Sequence, residues 1–288
     1  MLSSPADVLL LLGGVLSAAF VLFLPLELWR LRRQGRLTWA YVREMLASAS
    51  PLIPTLLVSG VVMAFIGGLY AGAAALAPWS IPTGVGTALA CLVLVDFLYY
   101  WDHRCGHRIA LLWAASHSVH HSSPQFDQTT GFRISFLDGF ISPWFYLPAV
   151  LIGFDPLLVL ACFGVILGYQ QWLHTETIGR LGWLDRWFNT PSNHRVHHGV
   201  QDAYLDRNYG AIQMVWDRLF GTYAAEGTGE GEAPRYGLVH PIGGSDPILV
   251  HTAGLIQLAH ALRPVRGVWR RLALLVRPPG APAGSASP

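Results

Sequence analysis

Lysine is absent from this chain of 288 residues, and all 19 basic residues are arginine. We read that as composition bias rather than mechanism. Charge of either sign is scarce at 12%, about half the roughly 25% of a soluble domain. A formal net charge of +2 gives no electrostatic footprint for a nucleic-acid partner. The three cysteines, Cys91, Cys105 and Cys162, form no C-x-x-C, so neither a disulfide framework nor a thiolate zinc site is supported. Cys105 lies between two histidines and could be a soft ligand, although a helix there turns it away from them. No glycine-rich stretch joins a strand to a helix, which excludes a nucleotide or flavin fingerprint.

Apolar sequence fills the space that charge leaves. The chain is 52% hydrophobic, with a mean hydropathy of +0.40, as expected of an integral membrane protein. Residues 8–26 read as an anchor with its C-terminal end in the cytoplasm, because Arg30, Arg32, Arg33 and Arg36 follow it. Residues 28–50 mix Trp and Tyr with Arg and suit the membrane interface. The run 51–77 is rich in Gly and Ala, 78–84 is an outer turn without basic residues, and 85–101 returns inward. Asp96 near the end of that run is expected to face the metal-site region or a partner rather than lipid. A further apolar pair, 134–154 and 157–173, flanks a turn at 153–156, with Pro143 and Pro148 interrupting its first member. Residues 181–223 form a more polar interfacial domain, 224–234 a flexible loop, and 248–276 amphipathic helices bearing Arg263, Arg266, Arg270 and Arg271.

The expected fold is therefore an all-α integral membrane protein. It has about four to five transmembrane or re-entrant helices, with a cytosolic-face helical domain carrying a histidine-rich dimetal site. Residues 1–50 form an anchor helix and interfacial segment, and 51–245 hold transmembrane helices and the catalytic domain. Residues 246–276 form C-terminal amphipathic helices, and 277–288 a disordered tail.

Histidine is where the chemistry concentrates. Five of the 12 histidines fall in HRCGHRIALLWAASHSVHH, as His103 and His107 followed by His117, His120 and His121. A second H-x-x-H-H, His194, His197 and His198, lies further on. One such triplet is expected about 0.02 times by chance at this composition, so two are not accidental. Spacings of three and four place side chains on one helix face, and each cluster is expected to aim its rings at a single point. Counting crossings puts these clusters and His174 at one membrane face. Eight or nine imidazoles suffice for two metals, although imidazole alone suits Zn, Cu, Fe and Ni. His240, His251 and His260 stand alone and are left out of the site.

These motifs resemble those of the fatty acid hydroxylase/sterol desaturase superfamily of membrane-bound di-iron oxygenases. The similarity covers residues 96–241. It includes Tyr99-Tyr100-Trp101-Asp102-His103-Arg104, Asn189-Thr190-Pro191-Ser192-Asn193-His194-Arg195-Val196-His197-His198-Gly199, Asn208-Tyr209-Gly210 and Trp216-Asp217-Arg218-Leu219-Phe220-Gly221-Thr222. Trp172-Leu173-His174-Thr175-Glu176, together with N-T-P-S and H-R-V-H-H-G, is most similar to the alkylglycerol monooxygenase branch, which hydroxylates the ether carbon of glyceryl ether lipids with tetrahydrobiopterin. The resemblance implies two iron ions held by His103, His107, His117, His120, His121, His174, His194, His197 and His198. O₂ is the implied co-substrate, a membrane lipid (ether lipid, fatty acyl or sterol-like) the substrate, and tetrahydrobiopterin or a separate reductase the electron donor. Asp102, Asp138, Glu176 and Asn208 are candidates to orient the rings through their second N–H. Some superfamily members carry another His four residues after the position of His174, where this chain has Ile178.

Other readings remain open from the residues. A desaturase of the same superfamily shares the first chemical step. A histidine-rich metal transporter needs polar groups near the bilayer midplane. A bis-histidine cytochrome and a hydrolytic metalloenzyme complete the alternatives.

Overall fold

The computed structural model describes residues 4–227 and 233–280. The tail expected at 277–288 and the loop at 224–234 therefore lie partly outside the described residues. Regular structure among those described is helical, with a single β-bridge between Phe188 and Gln213.

Helix α1 (Pro5–Arg33) starts at a capping box in which Ser4 and Asp7 exchange side-chain and backbone hydrogen bonds. It is followed by α2 (Trp39–Ala49), α3 (Leu52–Leu76) and α4 (Val85–Arg108). Helix α5 (Pro143–Leu151) precedes α6 (Pro156–Gln170), which Asp155 caps. The short α7 (Pro191–His197), then α8 (Pro247–Leu262) and α9 (Val268–Val276), follow.

Among the described residues, four stretches are long and apolar enough to cross a bilayer: Pro5–Arg33, Trp39–Leu76, Val85–Arg108 and Pro156–Leu173. The 24 residues of α4 reach about 36 Å, against a hydrocarbon core of roughly 30 Å. Helix α3 turns Leu57 (80% exposed), Leu56 and Val61 outward, a surface that water would not support and lipid would. The run 134–154 does not make a fifth span. It breaks into Asp138–Ile141 and the nine-residue α5, with Pro143 at the helix start and Pro148 inside it.

Close backbone contact fixes α1 on α6. A Cβ on Gly13 would meet the Gly164 carbonyl at 2.8 Å, and one on Gly168 would meet the Gly13 carbonyl at 2.6 Å, so small residues are required at this crossing. The turns 78–84 and 153–156 meet at one end of the bundle, where Ile81 N–H donates to the Gly153 carbonyl and Trp79 Nε1 to Ile152. Helices α4 and α6 both run from that end to the imidazoles at the other. Arg30 and Arg36 at the foot of α1 bond Glu176 there.

Candidate metal centre

Helix α4 brings His103 and His107 in on successive turns. The chain then passes through a π-helical segment, Trp113–His117, continued by the α-helical turn Ser118–His121. A π-bulge of this kind rotates the residues after it and is common at functional sites. The other triplet sits on α7, for which Asn189-Thr190-Pro191 is a complete start signal: Thr190 caps the helix and Pro191 occupies its first turn. His174 leaves the end of α6 through the 3₁₀ turn Gln171–Leu173.

All nine rings gather into two adjoining groups. One comprises His103, His107, His117, His121 and His197, the other His120, His174, His194 and His198, and within each the potential ligand atoms lie within 4.8 Å of one another. Rings of the two groups touch, with the His121 and His198 centroids stacked 4.2 Å apart. The expectation that each triplet aims at one point is corrected: both triplets divide. His117 and His121 join the first group while His120 joins the second, and His194 and His198 join the second while His197 joins the first. Helical geometry explains it. Residues i and i+4 point nearly the same way, whereas i+3 diverges from i+4 by about 100°.

The inward nitrogens approach closely. His103 Nε2 lies 3.0 Å from His117 Nε2, His121 Nε2 3.1 Å from His197 Nε2, and His174 Nε2 2.9 Å from His194 Nε2 and 3.2 Å from His120 Nε2. A loop sets the orientation of the first group. His103 Nδ1 donates to the Tyr209 carbonyl at 2.9 Å and His197 Nδ1 to the Arg207 carbonyl at 2.8 Å, while His107 Nδ1 faces the Asp206 carboxylate at 3.6 Å. Neutral imidazole has one N–H, so those outward bonds leave the inward Nε2 of His103 and His197 as a lone pair. Asp206 and Asn208 hold φ of 58° and 59°, the left-handed conformation Asp and Asn tolerate best.

Burial keeps the rings neutral. It pushes His117, His121, His174, His194, His197 and His198 well below the ordinary histidine range, and His120 down to about 3, with neighbouring imidazoles adding to the effect. For Asp206 burial acts upward, but its polar contacts with His107 and Arg108 and the charge of Arg108 outweigh it and hold the carboxyl below its usual value.

Several further residues, Asp96 among them, secure this arrangement. Asp217, fully buried, accepts from Tyr209 N–H, Gly210 N–H and Thr222 Oγ1, so Trp216-Asp217-Arg218 and Asn208-Tyr209-Gly210 are two halves of one contact. Asp96 accepts from Ile212 N–H and Trp216 Nε1 and thus faces the loop behind the rings. Arg195 grips both oxygens of Glu226 and donates to the carbonyls of Thr175 and Ile178. At Ile178, where some superfamily members carry a further histidine, the backbone serves as that arginine's acceptor. Arg133, with no exposed surface, pairs with Glu44 of α2 and donates to the Val119 carbonyl and Ser122.

The four candidate orienting residues point elsewhere. Asp102 accepts from Ser142 and Tyr146, Asp138 from Ser116, and Glu176 pairs with Arg36 at 2.7 Å. Asn208 Nδ2 donates to the Asn193 and Ala224 carbonyls. Proximity in sequence does not set these contacts, because adjacent residues on a helix or turn send their side chains in different directions. His240 and His260 line a cavity beside the rings but belong to neither group, and His251 Nδ1 bonds the Pro247 carbonyl.

The rings form a partition between two cavities. One of about 900 Å³ reaches His107, His121, His197 and His198 and is walled by α8, α9 and Trp113. The other, about 90 Å³, holds the remaining five rings with Asp102, Asp138 and Gln170. The donor set fits two metal ions. Buried His107 Nε2 and His198 Nε2 have no hydrogen-bond partner, a cost that a converging lone-pair set avoids by binding a cation.

Comparison with known proteins agrees with this geometry. Residues 88–222 match the fatty acid hydroxylase family. The chain is 37% identical over 203 residues to alkylglycerol monooxygenase of Homo sapiens, covering 70% of this chain and 44% of that protein. It is 39% identical over 186 residues to the Danio rerio alkylglycerol monooxygenase (65% and 40% covered). Ornithine lipid hydroxylase OlsE of Rhizobium tropici is 34% identical over 134 residues (46% and 40%). The matches thus span less than half the length of these curated relatives. No solved structure matches the chain. Residues 88–222, with their two imidazole groups at the foot of apolar helices, thus match the fatty acid hydroxylase family over just under half of the chain.

Proposed function

We propose that this protein is a membrane-bound, O₂-dependent lipid monooxygenase whose nine imidazoles hold two iron ions. The observation that carries the reading is the pair of adjoining, buried, neutral imidazole groups within a fatty acid hydroxylase match. His103, His107, His117, His121 and His197 would hold one ion, and His120, His174, His194 and His198 the other. When bound, the iron pair supplies the O₂ activation needed to hydroxylate an unactivated C–H bond, chemistry that side chains alone do not perform.

The chain's own residues do the rest. Burial holds the rings neutral and ready to ligate. The 206–209 loop orients three of them, and the apolar walls of the 900 Å³ cavity keep a hydrocarbon chain beside His107 and His121 and exclude water. The similarity to alkylglycerol monooxygenases supports an ether lipid as substrate and tetrahydrobiopterin as donor, a separate reductase being the other source of electrons. Arg30, Arg32, Arg33 and Arg36 at the imidazole end, against no basic residue in the turns 78–84 and 153–156, support a cytoplasmic active site.

The test is incubation of iron-loaded protein in bilayer nanodiscs with glyceryl ethers, fatty acyl lipids and sterols under ¹⁸O₂, with tetrahydrobiopterin or a reductase as donor. Mass spectrometry is expected to find one ¹⁸O in an ether-lipid product. A new double bond without label would make it a desaturase. Metal movement into sealed vesicles without lipid turnover would make it a transporter.

A further inference from the structure

The two imidazole groups are supported unequally from outside. In the first, His103 and His197 bond their outer nitrogen to the Tyr209 and Arg207 carbonyls of one short loop, and His107 faces the Asp206 carboxylate of that loop at 3.6 Å. That loop is pinned in turn, since Asp217 takes the N–H groups of Tyr209 and Gly210, and Arg108 pairs with Asp206. In the second group, His120, His174 and His194 turn Nε2 inward, and the outer Nδ1 of each is buried without a hydrogen-bond partner. The Arg133 and Gln170 carbonyls lie near the first two but complete no bond of good geometry.

From this we infer that the two metal positions differ in affinity: the five-imidazole group is the retained site, the four-imidazole group is the exchangeable one, and Asp206 is a positioning residue for the former. The inference rests on the dimetal reading above. A ring whose outer N–H is already bonded presents its lone pair in one direction and in one tautomer. A ring without that bond is ordered only by the ion, so binding bears the ordering cost, and outer-shell partners of this kind change metal affinity by roughly 10–100-fold. Asp206 has no ring-orienting counterpart among Asp102, Asp138 and Glu176, whose hydrogen bonds and ion pairs go to other residues.

The experiment is a titration of the full-length, Fe(II)-loaded protein in nanodiscs with a ferrous chelator, counting iron per chain and recording ⁵⁷Fe Mössbauer spectra. Two iron ions per chain at the outset test the dimetal reading, and fewer than two overturns that reading and this ordering together. Two release midpoints, with one spectral component lost first, are expected. A single midpoint for both ions overturns the ordering alone. Assignment comes from His194→Ala, expected to leave one ion with the wild-type retained midpoint; a remaining ion as labile as the first lost overturns the assignment. Asp206→Gly keeps the left-handed backbone but removes the carboxylate. It is expected to weaken the retained ion about 10–100-fold and leave the labile midpoint unmoved, while Asp206→Asn, which keeps an acceptor, restores part of that loss. Equal weakening of both ions, or no weakening, would show that Asp206 serves the fold rather than one metal position.

Discussion

His117–His120–His121 and His194–His197–His198 share one sequence pattern and opposite allotments. The first gives its i, i+4 pair to the five-ring group, the second to the four-ring group. Their supports differ as much. The first rides a π-helical turn held from behind by fully buried Arg133 and its partner Glu44, whereas the second rides an α-helix capped by Thr190 and tied through Arg195 to the half-buried Glu226. Spacing therefore determines that a triplet splits, and the packing around it decides which half goes where.

Acid is the broadest way to break the comparison, because it acts on both triplets together. The unfolded chain takes up protons near the ordinary histidine value of 6.5, while the buried rings stay neutral, so the unfolded state binds more protons and stability falls with pH below 6.5. For His120, held at about 3, the loss is about 1.4 kcal/mol per pH unit across that window, and the other buried rings add in the same direction. Metal-free protein should thus unfold between pH 6.5 and 4 by circular dichroism in detergent and be protected by Fe(II). Stability unchanged across that interval would contradict neutral buried rings.

Removing each supporting arginine separates the triplets. Arg133→Ala strands Glu44, 5% exposed, and should cost about 3–5 kcal/mol in chemical unfolding. Arg195→Ala leaves the Thr175 and Ile178 carbonyls without their donor beside a more accessible carboxylate, and about 2–3 kcal/mol is expected. The reverse order would mean that α7, not the π-helical segment, is the better-anchored element. The smallest effect belongs to Thr190→Ala, about 1 kcal/mol for a lost cap. It should raise hydrogen exchange in α7 while leaving Trp113–His117 unchanged.

Much of this was legible in the chain. Apolar runs bounded by Pro and Gly marked the spans. Thr190-Pro191 marked the start of α7, and spacing marked eight of the nine rings that gather, while His174 was marked by its place at the same membrane face and by the resemblance. What escaped depends on distant contacts. The fracture of 134–154 was signalled by its prolines, but α5 is held by long-range contacts such as Tyr146 with Asp102. Asp206 carries no local signal at all, since its role comes from a left-handed backbone meeting a histidine 99 positions earlier. Asp102 and Glu176 looked suitable because they adjoin ligand candidates in sequence, yet a helix or turn sends neighbouring side chains in different directions.

The partition of rings also bears on inhibition. Each imidazole borders one chamber and not the other, so a long apolar compound filling the larger chamber leaves the smaller one free for a compact polar molecule. Two blockers of such different shape should occupy the protein at once.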